Sequence, residues 1–546
     1  MSKIAHYLNE HILGDVTTDI TARKSLANDA SILTITPDII VYPRVTNDIR
    51  KVARFTHQLA EKGHVMSVSA RGAGTDQTGA ALTNGISINT PAYMNRIFEF
   101  DSKQRLVRLQ PGVLFGELNQ ALRLQGYHVP GAPESEHYST VGGAVANNAS
   151  GPLSGRYGAM ESSVEELEVV LANGDAIQTR RLSKRELNKK KGQQDFEGEL
   201  YRAVDNLIED NQSMIDNKLD PDGFDNSGYA SLARVKGAGG SFDLTPLFVG
   251  AQGTLGIISE MILKAEFYNS EQLVVALAFS SSQDLNDMLD EIRKLEPEYA
   301  SLFDMELFRV AVSNGKRHTF IANAIADKKE LAGVVLCRFA DFSERTRKRK
   351  AKKVLKIATK LNASYTQLAE TQDDIDELMA IESYVRAAQQ SDNKDIVTPA
   401  LFRGVYIPAE RFEDFTNAMH KLSLEHKITL PFSGYINDSI YHFWPQFNLR
   451  TVTDKQKMLK LYDAFVAIVV SHGGSAVAEA GEGRLKAPFS NKHNGTELTG
   501  LYAKLKAIFD PYGTLNGGVK NTTELRSVVS HLRSDVGTIT QAPYGQ

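Results

Sequence analysis

Cysteine is all but absent from this chain of 546 residues: Cys337 stands alone. One thiol cannot close an intrachain disulfide, complete a cysteine-based zinc site or ligate an iron–sulfur cluster through cysteines. Any redox chemistry must therefore come from a cofactor held by other means. An excess of one charge is missing as well, 62 Lys and Arg standing against 66 Asp and Glu for a net charge of −4. That balance gives no overall attraction to nucleic acid, and 42% hydrophobic residues exclude a chain too polar to fold. Long apolar runs are missing too. No stretch approaches the roughly 18 unbroken apolar residues of a membrane span, and the opening MSKIAHYLNEHILGD has no continuous apolar core like that of a secretion signal. A cytoplasmic protein is expected, with peripheral contact on the inner face of a membrane left open. What is present is length: at roughly 100 to 200 residues per domain the chain holds two to four compact units, enough to enclose a ligand.

From residue 37 the pattern alternates between strand and helix. Ile39 to Tyr42 is an apolar run ended by Pro43, and Asn47 to Gly63 carries Ile49, Val52, Ala53, Thr56 and Leu59 on one helical face. Val65 to Ser69 reads as a second strand entering a glycine-bearing loop, Arg71 to Gly79. Strands at Gly85 to Ile88 and Leu106 to Gln110 follow, then a helix from Phe115 stopped by Gly126. Pro130 to Gly158 is rich in Gly, Asn, Pro and Ser, and a loop of that length is usually functional. Glu165 to Leu171 and Ala176 to Thr179 read as a hairpin around Asn173-Gly174, whereas 211–245 lacks periodicity and reads as an extended loop. After 266 the pattern changes to strand plus long helix, repeated three times, which suggests a sheet with helices on one face. The expected division is an N-terminal segment 1–36, a first domain 37–266, a second 267–470, a return to the first over 471–520 and a tail 521–546.

Four segments concentrate small residues. Ser69 to Gly79 can present successive backbone N–H groups to a diphosphate, although Gly72 and Gly74 lack the third glycine of the dinucleotide fingerprint. Ser139 to Gly151 carries Gly142 and Gly143, Gly250 to Ile258 is a glycine-punctuated turn running into apolar residues, and Phe509 to Asn516 encloses a Pro-Tyr-Gly turn. Close backbone approach to a flat or charged ligand is the physical use of such runs.

In order and spacing these segments resemble the flavin-binding domain of the vanillyl-alcohol oxidase and p-cresol methylhydroxylase superfamily, and most its D-lactate dehydrogenase and glycolate oxidase branch. The resemblance rests on Pro43-Arg44-Val45-Thr46, Arg71 to Thr75, Val141 to Gly151 with Tyr157-Gly158, Gly253 to Ile258, and Phe509-Asp510-Pro511 with Asn516. It implies an α+β fold: a p-cresol methylhydroxylase-type FAD domain of two subdomains with an α+β substrate-capping domain. It also implies FAD bound by Pro43, Arg71, Gly72, Ala73, Gly74, Thr75, Asp76 and Gly79; by Pro133, Glu134, Ser135, Thr140, Val141, Gly142, Gly143, Ala146, Asn147, Asn148, Ser150 and Gly151; and by Tyr157, Gly158, Gly253, Gly256, Ile257, Ile258 and Asn516. Gly72 to Asp76 would meet the pyrophosphate, Pro133 to Ser135 and Gly142-Gly143 the flavin, and Ile257-Ile258 the adenine half. Some relatives join the flavin covalently to a histidine in the first loop. This loop has none, so FAD is expected to be non-covalent.

The catalytic end departs from the family pattern. Where relatives carry Gly-His-x-Gly-Asp-Gly-Asn-x-His, this chain reads Gly434-Tyr435 to Tyr441-His442, and only Gly434, Asp438 and His442 fit. Where relatives carry Ser-Gly-Glu-His-Gly, Glu479 remains but Ala480 replaces the histidine. A metal site of the related type would lose two ligands, so none is expected. His442 is the expected base, its ordinary pKa of roughly 6.5 suiting proton transfer, with Tyr435, Tyr441 and Glu479 as alternatives. Arg386, Arg403, Arg484 and Lys486 are candidates to bind a substrate anion. Nine Lys or Arg residues between Arg345 and Lys360, and seven between Arg180 and Lys191, read as solvated faces more readily than as a docking patch.

The leading expectation is an FAD-dependent oxidoreductase that dehydrogenates a small 2-hydroxy acid, D-lactate or glycolate in type, by hydride transfer to flavin. Electrons would pass to an acceptor not identified in the sequence, a quinone, a cytochrome or oxygen. The lost histidines also permit oxidation of another alcohol, sugar or lactone, or a non-catalytic FAD-binding subunit.

Overall fold

The computed structural model describes residues 2–326, 330–389, 393 and 395–533. Of the expected tail 521–546, residues 534–546 lie outside this set. The chain divides into two compact units. One comprises Met1–Gly151, Ala159–Phe267 and Val477–Leu532, and the other Pro152–Gly158 and Tyr268–Ala476.

The first unit is built on two sheets. Ile39–Tyr42, Ile86–Asn89 and Val68–Arg71 pair in parallel, in that order, with Asp15–Thr17 antiparallel on the outer edge of Ile39–Tyr42. The second strand starts at Val68, later than the apolar pattern suggests. Val65 is 62% exposed whereas Val68 is sealed against Ile86, so Arg71 becomes the last strand residue before the glycine loop. Helix Thr46–Glu61 covers this sheet with Ile49, Val52, Ala53 and Thr56. Its buried Asp48 accepts the N–H groups of Leu13, Gly14 and Arg44, which accounts for the turn at Pro43-Arg44. Five antiparallel strands form the other sheet, in the order Ile97–Asp101, Leu106–Leu109, Ile257–Lys264, Val164–Val170, Ala176–Thr179. The 211–245 stretch contains a helix, Gln212–Lys218, and otherwise short turns.

The second unit centres on a seven-stranded sheet in the order Tyr365–Ala369, Leu273–Phe279, Gly333–Phe339, Tyr299–Asp304, Phe432–Tyr435, Ile440–Phe443, Val405–Tyr406. Helices cover both faces, not the one face expected. Alternation along a strand sends Val274, Ala276 and Ala278 to one side, where they meet Leu307, Phe308, Phe320, Leu378 and Tyr384. Val275 and Leu277 point the other way, toward helices Ser282–Arg293 and Glu344–Lys360. The extra layer comes from Met305–Ser313, Thr319–Ala324, Gln372–Met379 and Ser383–Gln389, helices too short to register as long amphipathic repeats.

The basic run lies on Glu344–Lys360, where Arg347, Ala351, Val354 and Ala358 are buried and Arg345, Lys348, Arg349, Lys352, Lys353, Lys356 and Lys360 are exposed. Cys337 is buried in the sheet, and burial pushes its thiol pKa up, leaving it unreactive. No helix among the described residues is long and apolar enough to cross a membrane.

Candidate functional site

In the first unit the four glycine-bearing segments converge through side-chain hydrogen bonds. Arg71 turns its guanidinium back to the carbonyls of Leu26 (3.2 Å) and Asn28 (2.7 Å), which frames the loop that follows. Gly74 sits at φ +81°, and a Cβ there would come within 2.4 Å of Arg71 Nη2. Among the described residues, the backbone N–H groups of Ala73, Gly74, Thr75 and Asp76 donate to no partner. Four successive open donors are what a backbone anion receptor requires. The Asp76 carboxylate closes the loop from within, accepting from Thr78 N, Ala80 N and Asn147 Nδ2. Such saturation makes Asp76 a loop-former.

The Arg71–Gly79 loop touches the second segment at Gly72, whose Cβ would lie 2.1 Å from Thr140 Oγ1. Thr75 Oγ1 lies 3.1 Å from Ser139 Oγ, itself bonded to Ser135 Oγ. Thr140 caps helix Val141–Ala146 by accepting from Gly143 N, and Gly142 packs onto Pro111. Gly151 lies against Ala132 and Pro133, and Glu134 is exposed. The third segment enters through Gln252, which bonds Asn147 Oδ1 (2.9 Å) and Thr78 Oγ1 (3.2 Å) and accepts Gly483 N–H (2.9 Å). Its backbone N–H reaches Ala146 O. Gly253 follows at φ +71° with open space around its Cβ position, Gly256 packs on Val169, and Ile257-Ile258 begin the strand paired with Val170-Val169. The fourth is tied in by Asn516 Nδ2, which donates to Ala80 O and Gln252 O, and by Lys506 Nζ, bonded to Thr254 O, Asp510 Oδ2 and Leu515 O.

Several of these knots escape sequence reading. Gln252 is flanked by glycines, and Lys506 and Asp510 are one helical turn apart before the Pro-Tyr-Gly turn; those spacings were the available signals. Glu482 was also missed. It is fully buried, accepts Gly228 N–H at 2.9 Å, and is pushed up to about 7 by burial against the nearby Lys520 charge. Lys520 Nζ donates to Asn226 O and Gly228 O, and Asn226 Oδ1 accepts from Asn148 Nδ2. Of the residues expected at a substrate, Arg484 is tied to Leu82 O and Lys486 is buried near Glu482, both in this first unit, as is half-buried Glu479. Pro43 is buried beside Gly14 at the end of its strand, and Gly79, at φ +76°, lies against Leu33.

The residues fit an FAD cradle on two structural grounds: the open donor run at 73–76, and the buried Ser150 Oγ and Asn516 Oδ1, which have no partner among the described residues. Tyr157 and Gly158 belong to the second unit, where Tyr157 Oη reaches Glu298 Oε1 at 3.4 Å.

In the second unit, strands Phe432–Tyr435 and Ile440–Phe443 form a hairpin with Ser433 opposite His442 and Tyr435 opposite Ile440. Directly opposed residues share a face, so Tyr435, His442 and Trp444 lie together, Tyr435 edge-on to the His442 ring at 5.5 Å. Tyr441 is turned to the other face, stacked on Phe412 at 4.6 Å, and burial pushes its hydroxyl up to about 12. It is therefore not beside His442. His442 Nδ1 accepts the Gly404 N–H at 3.0 Å. Accepting there requires the lone pair, so the neutral ring carries its proton on Nε2. Arg403 lies over the Trp444 ring at 4.6 Å, and Trp444 Nε1 donates to Ser433 Oγ. Arg386 is exposed on its helix, apart from this cluster. Among the described residues no His, Cys, Asp or Glu side chains group so as to hold a metal ion.

Asp438, the acidic residue of the hairpin turn, is bonded to Ser154 and accepts Ile440 N–H at 3.4 Å. Burial pushes its carboxyl from 3.8 to about 7. The fold thus binds a proton that the unfolded chain releases. This contribution to stability is complete below about pH 4 and is lost as pH rises through about 7, by at most about 1.4 kcal/mol per pH unit. Asp438→Asn keeps the shape and removes this slope, so urea midpoints at pH 5 and pH 8 are expected to differ less in the variant than in the parent.

A cradle of this construction, on its paired parallel and antiparallel sheets, is that of an FAD-binding protein. The family model described as FAD binding domain matches residues 37–180, and that of FAD linked oxidases, C-terminal domain, matches 269–519. The chain belongs to the FAD-linked oxidases of the vanillyl-alcohol oxidase and p-cresol methylhydroxylase superfamily. It is 27% identical over 521 residues to D-2-hydroxyglutarate dehydrogenase of Pantoea ananatis, covering 92% of this chain and 50% of that protein. It is 25% identical over 490 residues to glycolate oxidase subunit GlcD of Bacillus subtilis, covering 88% of each. The chain spans about half the length of the D-2-hydroxyglutarate dehydrogenases it matches. The fold is shared with a 4-ethylphenol oxidase from Gulosibacter chungangensis at TM-score 0.67, with 15% identity and coverage of 96% of this chain and 98% of that one. It is also shared with an alkyldihydroxyacetonephosphate synthase at TM-score 0.64, with 17% identity over 95% of this chain and 84% of that one.

Proposed function

We propose that this chain holds FAD non-covalently and dehydrogenates a 2-hydroxy acid, of the class that includes D-lactate, D-2-hydroxyglutarate and the achiral glycolate. The observation that carries the reading is that Arg403, over the Trp444 ring, directly precedes Gly404, whose N–H fixes the tautomer of His442, all within the matched oxidase domain. A guanidinium placed over an indole keeps the planar fork suited to two-point capture of a carboxylate. His442, with its proton on Nε2, offers a hydrogen bond to a substrate oxygen, and its Nδ1 is already engaged by Gly404. This replaces the base role that its position in the motif suggests. When bound, FAD would accept hydride from the hydroxyl carbon, and the hydroxyl proton would leave to a base, for which Tyr435, edge-on to His442, is the candidate. Non-covalent binding is supported by the absence of histidine between Arg71 and Gly79.

Anaerobic titration of the yellow protein tests the reading. Bleaching of the flavin absorbance by a D-2-hydroxy acid, and not by its L enantiomer or by sugars, is expected. Flavin that no member of such a panel reduces would overturn the assignment in favour of a non-catalytic subunit. Acid precipitation should release all the flavin into the supernatant.

A further inference from the structure

Residues before 37 lie outside both matched domains, yet one stretch of them is laid directly on the phosphate loop. Arg71 grips the carbonyls of Leu26 and Asn28, Ala30 N–H donates to Gly74 O at 3.1 Å, and Leu33 lies against Gly79. The far end is pinned by Thr34 N–H on His531 O at 2.9 Å. Within this strap, Asp29 spends one carboxyl oxygen on Ser31 N–H at 2.9 Å. Its other oxygen, Oδ2, is buried and has no partner among the described residues.

We propose that Leu26–Thr34 is the outer wall of the FAD phosphate cradle and that Asp29 takes up a proton when FAD binds, so that cofactor affinity falls as pH rises. The proposal rests on the reading of the 73–76 loop as the diphosphate receptor.

Burial decides the sign, against the hydrogen bonds from Ser31, and the charged groups around Asp29 adjust it. Asp76, from the loop, repels its ionised form; Arg71, from the preceding strand, attracts it, and Arg484, from the segment after 477, also interacts with it. Burial outweighs these attractions, and together with Asp76 it pushes the Asp29 carboxyl up to about 7. Both arginines stay charged through the neutral range, burial bringing Arg484 down only to about 10. His531, beside Thr34 and Arg484, is held below its ordinary value and so stays neutral above pH 7, adding no slope there. A diphosphate on the open donors brings further negative charge beside a carboxyl already poised between its two forms. The ionised form is then disfavoured, while the protonated form offers an O–H donor from the oxygen that now has none.

The test uses the full-length apoprotein titrated with FAD, following quenching of flavin fluorescence between pH 6 and 9. Kd is expected to be flat below about pH 7 and to rise above it by up to about tenfold per pH unit. In Asp29→Asn the rise disappears and FAD binds more tightly than to the parent at pH 9, whereas His531→Gln keeps the parent's slope. Calorimetry of the unaltered protein in two buffers of different ionisation enthalpy, at about pH 8, should report uptake of up to one proton per FAD, independently of how any variant folds. A pH-independent Kd, no net proton uptake, or an unchanged slope in Asp29→Asn overturns the proposal while leaving the cradle intact. Failure to bind FAD at any pH overturns the cradle reading as well.

Discussion

Lys506→Ala is expected to lower the unfolding free energy of the first unit by about 3 to 5 kcal/mol, the cost of stripping one partner from a buried ion pair. Lys506 sits near the end of helix Ala487–Phe509, and its Nζ bonds Thr254 O at 2.6 Å, Asp510 Oδ2 at 2.6 Å and Leu515 O at 2.9 Å. Asp510 in turn accepts Thr514 N–H at 2.9 Å and Leu515 N–H at 2.7 Å. Burial pulls the lysine's pKa down and Asp510 pulls it back, so the ammonium persists because the carboxylate is there. Without Lys506, a carboxyl group with no exposed side-chain surface is left with only backbone donors and Thr514 for company. The damage extends to the cradle, because Thr254 and Leu515 flank Gln252 and Asn516, and Asn516 Nδ2 holds Ala80 O and Gln252 O. Flavin release is therefore expected to accompany the shift in urea midpoint. Lys506→Met with Asp510→Leu, which removes both charges and keeps the bulk, should recover much of the stability but not the turn. A Lys506→Ala midpoint within experimental error of the parent would show that the pair is not coupled to folding.

Much of the first unit can be read from period alone because its elements bury one face each. Ile49, Val52, Ala53 and Thr56 stand on one helical face and all are buried, and Ile39 to Tyr42 forms the strand that their spacing predicts. Periodicity fails where backbone conformation interrupts a real element. Helix Ala487–Phe509 contains Gly495 at φ +75° and begins at Ala487-Pro488, so no single helical period runs through it although Leu498, Leu501, Tyr502 and Leu505 are all buried. It also fails where a side chain's work is done far along the chain. Gln252 joins Thr78, Asn147 and Gly483, which no local pattern can announce. In the second unit the hairpin places Tyr435 near His442 across a turn containing Ser439 at φ +57°, while Tyr441, adjacent in sequence, is sent to the opposite face. Neighbours in sequence are thus the wrong guide to neighbours in a sheet. Similarly, alignment of His442 with a family histidine identifies the position but not the proton. The Gly404 N–H fixes that, and it belongs to a different strand connection.

His442→Ala is expected to lower the rate of substrate-dependent flavin reduction by about a hundredfold or more, the scale of losing one pre-aimed donor to charge that develops in the transition state. The choice of second variant distinguishes donor from base. Glutamine can place an N–H near the position of imidazole Nε2 but cannot accept a proton at neutral pH. If His442 donates, His442→Gln should retain a substantial part of the rate that His442→Ala loses, and the pH profile of flavin reduction should keep its limbs in both. If it were the base, glutamine would be as damaging as alanine and the acid limb would vanish. Arg403→Lys adds the complementary arm. Lysine keeps the charge but not the planar fork over Trp444, so KM should rise more than kcat falls. A hydroxy acid whose carboxylate and oxygen are held by these two side chains must satisfy both variants at once. An unchanged KM in Arg403→Lys would separate the arginine from the histidine, and would mean that the substrate anion is held by another group.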